Sequence, residues 1–352
     1  MEHEFQTKNF LFFGAPCMQS QFSTPITDLF GTRLPIVAGG LQWLANADYV
    51  AAAAKAGVMG FITASSHATT AGLRDEIARC QDLAGDLPFG VNVSMLPAPA
   101  AGERVQETFE EIMRAGVRFV ETSGRNPEPY LPLLHGAGIK VLHKAPSVRH
   151  ALKAQSIGVD AVSVVGAECG GHPGVDLVGS IVQGALAGRG LDIPVLLGGG
   201  IGTGAQVMAA LALGVDGVTI GTRFLVAEEI WAHRQYKEVL VRSRETDTAL
   251  IMQSVRNTVR AFRNETTDLV NELERSHGGD FEVLRPHVSG QLGRKVYETG
   301  DSRNGALSLG QAVAFADRVE PLADIVARIE KEMREALSSL SRFGLSSPSL
   351  DD

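Results

Sequence analysis

From Leu34 to about Phe224 the chain alternates between two kinds of segment. Short apolar runs occur at residues 35–38, 60–63, 89–94, 119–122, 140–143, 161–165, 194–197 and 217–220. They are rich in valine and isoleucine and show little apolar–polar alternation, as strands buried on both faces of a parallel sheet do. Between them lie stretches with apolar residues at helical spacing, such as 73–79 and 107–113. One junction recurs where a helical stretch gives way to the next run: Ala56-Gly57-Val58, Ala115-Gly116-Val117, Ala137-Gly138-Ile139, Ile157-Gly158-Val159 and Leu213-Gly214-Val215. A glycine there accepts the left-handed turn that closes a helix, and a β-branched residue starts the strand.

Eight strand–helix units in one unbroken series predict a closed (β/α)₈ TIM barrel of the α/β class. The alternative, a doubly wound sheet, would place its glycine-rich turn after the first strand. Here those turns come late. After Phe224 the rhythm stops, and the pattern predicts helices at 233–244, 250–263 and 266–274 with no strand between them. Residues 231–297 are therefore expected to form a helical lid and substrate domain over the C-terminal face of the barrel. The barrel itself is assigned to 21–230 and 298–352, with a helical pattern returning near Gln311 and a frayed end from Ser338. Residues 1–20 do not share the composition of the rest and are expected to be a disordered leader.

Composition narrows the class of partner. With 44% hydrophobic and 20% charged residues the chain is of ordinary globular type. A net charge of −8 disfavours a nucleic-acid or anionic-membrane partner. Three cysteines fit a reducing cytoplasm better than a disulfide framework. No spacing of Cys or His suggests a metal site. Monomer and homodimer stay equally open.

Barrel sites lie at the C-terminal ends of the strands. Strands seven and eight end in Gly198-Gly199-Gly200-Ile201-Gly202-Thr203-Gly204 and Gly221-Thr222-Arg223-Phe224, where converging amides free of Cβ atoms suit a phosphate dianion. Strand six ends in Gly166-Ala167-Glu168-Cys169-Gly170-Gly171-His172-Pro173-Gly174. Its imidazole could exchange a proton near neutral pH, against the plainer reading of a surface-loop histidine. Cys169 reads as a small packed hydrophobe and Glu168 as a loop-fixing carboxylate. Strand five ends in His143-Lys144, only one of which can face the mouth. A lysine there could balance the N1–C2=O locus of a reduced flavin or meet phosphate. Asn92, in an otherwise apolar strand three, needs a hydrogen-bond partner that a flavin edge could supply, and Ser94 follows it. Strand one ends in Gly39-Gly40-Leu41-Gln42-Trp43, a close-approach turn, an amide and an aromatic that reads equally as packing. Strand four ends in Glu121-Thr122-Ser123-Gly124, which suggests lining alone. Arg256 and Arg260 are candidates for an anionic ligand or simply solvated helix charges.

These segments together resemble the nitronate monooxygenase-like superfamily of FMN barrels, formerly called 2-nitropropane dioxygenases. That superfamily also holds FMN-dependent NADH:quinone reductases and an enoyl-acyl-carrier-protein reductase. The resemblance extends to Arg256-Asn257-Thr258, Ser289-Gly290-Gln291 and Tyr297 through Asp301. It implies an oxidoreductase using FMN, with His172 beside flavin and substrate. Lys144, Asn92, Ser94, Gly200, Gly221 and Thr222 would contact FMN, and Gly39, Gly40, Gln42, Gly171 and Gly199 complete the candidate cofactor site. His143-Lys144, residues 148–154 and Glu168-Cys169 are closest to the quinone-reductase branch, which implies NAD(P)H as donor and a quinone as acceptor. The alternatives are an alkyl nitronate oxidised with O₂, an enoyl reductase, and a flavin-binding barrel without turnover. The chain departs from the quinone-reductase branch at residues 98–101, where a polar residue helps hold NADH, and at Val165, where that branch has Asp.

Overall fold

The computed structural model describes residues 22–95 and 103–342. Eight parallel strands close into a barrel in chain order: β1 (Ile36–Ala38), β2 (Met59–Thr63), β3 (Gly90–Met95), β4 (Phe119–Gly124), β5 (Lys140–Ala145), β6 (Ala161–Val165), β7 (Val195–Gly198) and β8 (Gly217–Ile220). Closure is direct, with Val37 paired to both Met59 and Thr219. Helix α1 (Pro25–Phe30) precedes β1. The crossovers carry α2 (Ala47–Lys55), α3 (Thr70–Ala84), α4 (Val105–Arg114), α5 (Leu131–Gly136), α6 (Val148–Ser156), α7 (Ser180–Gly190) and α8 (Gly204–Ala212). The five recurring junction glycines all have left-handed backbones, with φ between +72° and +93°.

Inside the barrel, one apolar layer joins Val37, Met59, Phe61, Phe119, Leu142, Ala161 and Leu196. Ile26 and Phe30 of α1 pack against it, and Phe30 meets Phe61 and Phe119 edge-on. The N-terminal end of the barrel is thereby filled with hydrocarbon. A larger apolar shell lies between strands and helices.

Beyond β8 the chain leaves the barrel. It forms α9 (Arg234–Val241), strands β9 (Thr248–Ile251) and β10 (Val259–Phe262), α10 (Glu265–His277), α11 (Phe281–Leu284) and α12 (Gly290–Thr299). The expected helix at 250–263 is instead an antiparallel hairpin, Val259 pairing with Ile251 and Phe262 with Thr248. The reason is local. Met252 and Arg256 both take positive φ, which no helix interior tolerates, and β10 alternates buried and half-buried residues as a one-faced strand does. The last helix, α13 (Leu322–Ser341), packs against α8 and α2 and completes the outer ring. It continues to Ser341, so the fraying expected from Ser338 does not begin there, and residues 343–352 of that stretch lie outside the described residues. The leader assigned to 1–20 and the departure at 98–101 lie outside the described residues. No helix among the described residues is long and apolar enough to cross a membrane.

Candidate active site

Strand pleating puts every second side chain inside the barrel. Two residues beyond the apolar layer, the same faces carry Gly39, Thr63, Asn92, Glu121, Lys144, Ser163, Gly198 and Thr219. This layer is polar and largely buried, and its members bond to one another. Asn92 Nδ2 donates to Glu121 Oε2 at 2.5 Å, and Lys144 Nζ donates to the same oxygen at 3.1 Å. Ser163 and Thr219 share a hydrogen bond of 2.9 Å. Above Asn92, the Ser94 hydroxyl reaches Asn92 Oδ1 at 3.2 Å and Ser123 Oγ at 3.0 Å. The partner that Asn92 requires is thus Glu121.

Glu121 is fully buried, and its Oε1 has no hydrogen-bond partner among the described residues. Leaving such an atom unsatisfied costs about 1–3 kcal/mol. Sequence reasoning passed over this residue as lining. The available signal was a carboxylate two positions after the inward-facing Phe119. Of the pair at the end of β5, Lys144 is the inward one. His143 lies on the opposite face, buried, with its Nδ1 2.9 Å from Thr122 Oγ1. Burial lowers its pKa to about 4, helped by the nearby His150 and Lys144 charges.

Around this layer the strand-end loops converge. Gly40 allows β1's loop to sit on Asn92, since a Cβ there would come within 2.9 Å of the Asn92 Cβ. After β7, Gly199 and Gly200 have φ of +99° and +75°, and a Cβ on Gly200 would lie 3.1 Å from that of Glu168. Gln206 braces this turn: its Oε1 accepts from Gly202 N at 2.9 Å and its Nε2 donates to Gly200 O at 2.8 Å. The backbone amides of Gly199, Gly200, Gly221 and Thr222 have no acceptor among the described residues. Two adjacent strand ends thus carry four amides without acceptors, three of them on glycine, which fits the phosphate of a mononucleotide. The Thr222 hydroxyl is engaged within the protein, accepting from Gly310 N at 2.9 Å. Arg223 ties the end of this turn to the segment entering α13 through Glu320 at 3.3 Å and Asp317 at 3.8 Å.

Loop six carries His172 and is held from three sides. Glu168 accepts from Ser180 N at 3.0 Å and from its hydroxyl at 3.2 Å, which fixes the start of α7 and makes it the loop-fixing carboxylate expected. Glu168 O accepts from Gln311 N at 2.9 Å. Gly171 pairs with Arg260 of β10 by two backbone hydrogen bonds, of 3.0 and 2.7 Å. The Arg260 guanidinium donates to Ala167 O at 2.9 Å and Thr248 Oγ1 at 3.0 Å. It clamps loop six from a strand, half-buried, and is therefore not a solvated helix charge. Burial raises the Cys169 thiol to about 12, so it is no thiolate nucleophile at neutral pH. His172 itself is exposed on this loop and makes no hydrogen bond among the described residues. The walls around it still desolvate the ring and lower its pKa, so it stays neutral at pH 7.

At the rim, Trp43 has φ +69° and joins the loop after β1 to the insert. Its Nε1 donates to Gly290 O at 2.9 Å, its carbonyl accepts from Trp231 Nε1 at 2.6 Å, and Arg294 lies over its ring at 5.3 Å. Gln42 is exposed beside it, next to Gly290. A wide cleft of about 990 Å³ on the insert, lined by Gln253, Glu265, Asp268, Glu272 and Arg275, lies elsewhere, and its acidic walls would repel a phosphate.

A TIM barrel with acceptor-free glycine amides after its last two strands, a buried polar floor and a neutral imidazole on loop six fits the frame of a flavin-dependent oxidoreductase. A sequence profile described as nitronate monooxygenase matches residues 23–332. The chain belongs to the nitronate monooxygenase family. It is 35% identical over 266 residues to the (3aS,4S,5R,7aS)-5-hydroxy-7a-methyl-1-oxo-octahydro-1H-indene-4-carboxyl-CoA dehydrogenase of Rhodococcus jostii, spanning 75% of this chain and 71% of that one. A Staphylococcus saprophyticus protein named "Probable nitronate monooxygenase" is 27% identical, over 90% of this chain and 99% of its own. The solved structure of FabK from Thermotoga maritima superposes with a TM-score of 0.83 at 28% identity, covering 91% of this chain and 99% of that one.

Proposed function

We propose that the chain oxidises a small alkyl nitronate or its parent nitroalkane, with FMN as the flavin and O₂ as the electron acceptor. The observation that carries this reading is the set of acceptor-free amides of Gly199, Gly200, Gly221 and Thr222 after β7 and β8, at the same end of the barrel as the neutral His172 on the neighbouring loop after β6. When bound, FMN supplies the hydride-accepting centre. The cradle would hold its phosphate, and Asn92, Ser94 and Lys144 lie on the barrel floor where a ring system could rest. A neutral imidazole can take the proton from a carbon beside a nitro group and, once charged, stay beside the anion it has made. Gln42, exposed at the rim, offers amide donors to the nitro oxygens.

A second reading is dehydrogenation of an acyl-coenzyme A thioester, in which the same imidazole would take a proton beside the carbonyl. The 35% identity to the Rhodococcus jostii dehydrogenase supports it. The quinone-reductase expectation finds no counterpart in the names of the relatives given above.

Anaerobic mixing of the FMN-loaded protein with propyl-2-nitronate, an acyl-coenzyme A, NADH or NADPH separates these readings. Bleaching of the flavin band by nitronate, with colour restored by O₂, is the expected result. Bleaching by the thioester alone would transfer the assignment to the second reading. Bleaching by NAD(P)H alone, with colour restored by a quinone, would reinstate the reductase. A protein that takes up no flavin would end all three.

A further inference from the structure

We propose that Glu121 is a positioning residue that sets how readily the bound flavin accepts electrons, by balancing the charge of Lys144 beneath it. The inference rests on the FMN reading of the site.

Three observations carry it. Glu121 is wholly buried in the barrel interior, where a carboxylate is rare unless it is paired. Its Oε2 gathers two groups at once, Asn92 Nδ2 at 2.5 Å and Lys144 Nζ at 3.1 Å, and these side chains line the floor of the strand-end site. Its Oε1 is left with no partner among the described residues, so the carboxylate is not the centre of a closed and satisfied network. A purely structural ion pair would serve better with both oxygens bonded.

The consequence is electrostatic. A flavin gains negative charge on reduction, so an unbalanced lysine close by favours the reduced form. Glu121 cancels that pull at a range of 3.1 Å from Nζ. The barrel floor as built is therefore close to neutral, and each half of the pair acts on the flavin in the opposite direction to the other. Asn92 locks the carboxylate in place and has no charge of its own.

The test is the midpoint potential of the FMN-loaded protein, measured by equilibrium titration against a redox dye. Glu121→Gln should raise it, moving the oxidised-to-reduced equilibrium by about tenfold or more, which is about 30 mV for a two-electron couple. Lys144→Met should lower it. The double variant, again neutral, should return close to the original potential. A packing role alone predicts no such pattern of opposite signs and restoration.

An unchanged potential in a flavin-loaded Glu121→Gln protein overturns the inference. If that variant does not fold or hold FMN, Lys144→Met decides: a downward move supports the inference and an unchanged value overturns it. Loss of FMN by both overturns it too, because the cradle amides and not this pair are held to anchor the flavin. An unmodified protein that binds no flavin defeats the functional reading instead.

Discussion

His143 offers the sharpest quantitative test of how the barrel is built. It is 6% exposed, faces the helices, and has its pKa lowered to about 4 chiefly by burial. A histidine in an unfolded chain titrates near 6.5. Because the folded value is depressed, the unfolded chain takes up the proton first as pH falls. The stability tied to this group is whole above pH 6.5 and drains away between about 6.5 and 4. A fall of about 2.5 pKa units, at about 1.4 kcal/mol each, is worth about 3 kcal/mol in total, of which about 2 is lost by pH 5. His143→Gln retains a partner for the Thr122 hydroxyl and removes the titration. Equilibrium urea unfolding at pH 7, 6 and 5, with FMN at one fixed concentration, should show the parent protein losing about 2 kcal/mol more than the variant between the first and last pH. Parallel curves would refute the reasoning and place His143 in contact with solvent.

Gly200→Ala forces a left-handed backbone on a residue with a Cβ and should weaken FMN binding about tenfold or more, about 1.4 kcal/mol, read by flavin fluorescence titration. Unchanged affinity would remove Gly200 from the cradle. Arg260→Ala breaks two charged hydrogen bonds of about 1.5–3 kcal/mol each; thermal denaturation should show a lower midpoint, and turnover should fall more than FMN affinity. With the neutral nitroalkane as substrate, His172→Ala should lower kcat about 10²–10⁴-fold with flavin still bound, and kcat near that of the parent would dismiss it as the proton carrier; a pre-formed nitronate, which has no such proton to give, should be affected far less. In the parent, kcat/KM for the nitroalkane should decline as pH drops through the lowered pKa of His172, since only the neutral ring accepts a proton.

The barrel was legible because its signals are local and repeated. Five helix-closing glycines and eight apolar runs set the order of elements, and each junction glycine has the backbone that its position called for. The left-handed turn at Gly199 and Gly200 was legible for the same reason, since glycines at strand ends announce close approach. The hairpin was missed because residues 250–263 mix apolar and charged positions at a spacing that suits a helix as well as a strand. Only the positive φ at Met252 and Arg256 breaks the tie, and nothing in those two residue types signals it. Glu121 was missed because its meaning lies in partners 29 and 23 residues away. Arg260 was misjudged because loop six, to which it binds, lies 93 residues earlier.

The bridge between Gly171 and Arg260 ties the loop that carries His172 to the insert as a zip joins two edges of cloth. If the insert swings away from the barrel, it must either take that loop along or tear the zip. On the proposed role of His172, any such motion would displace the base together with the insert.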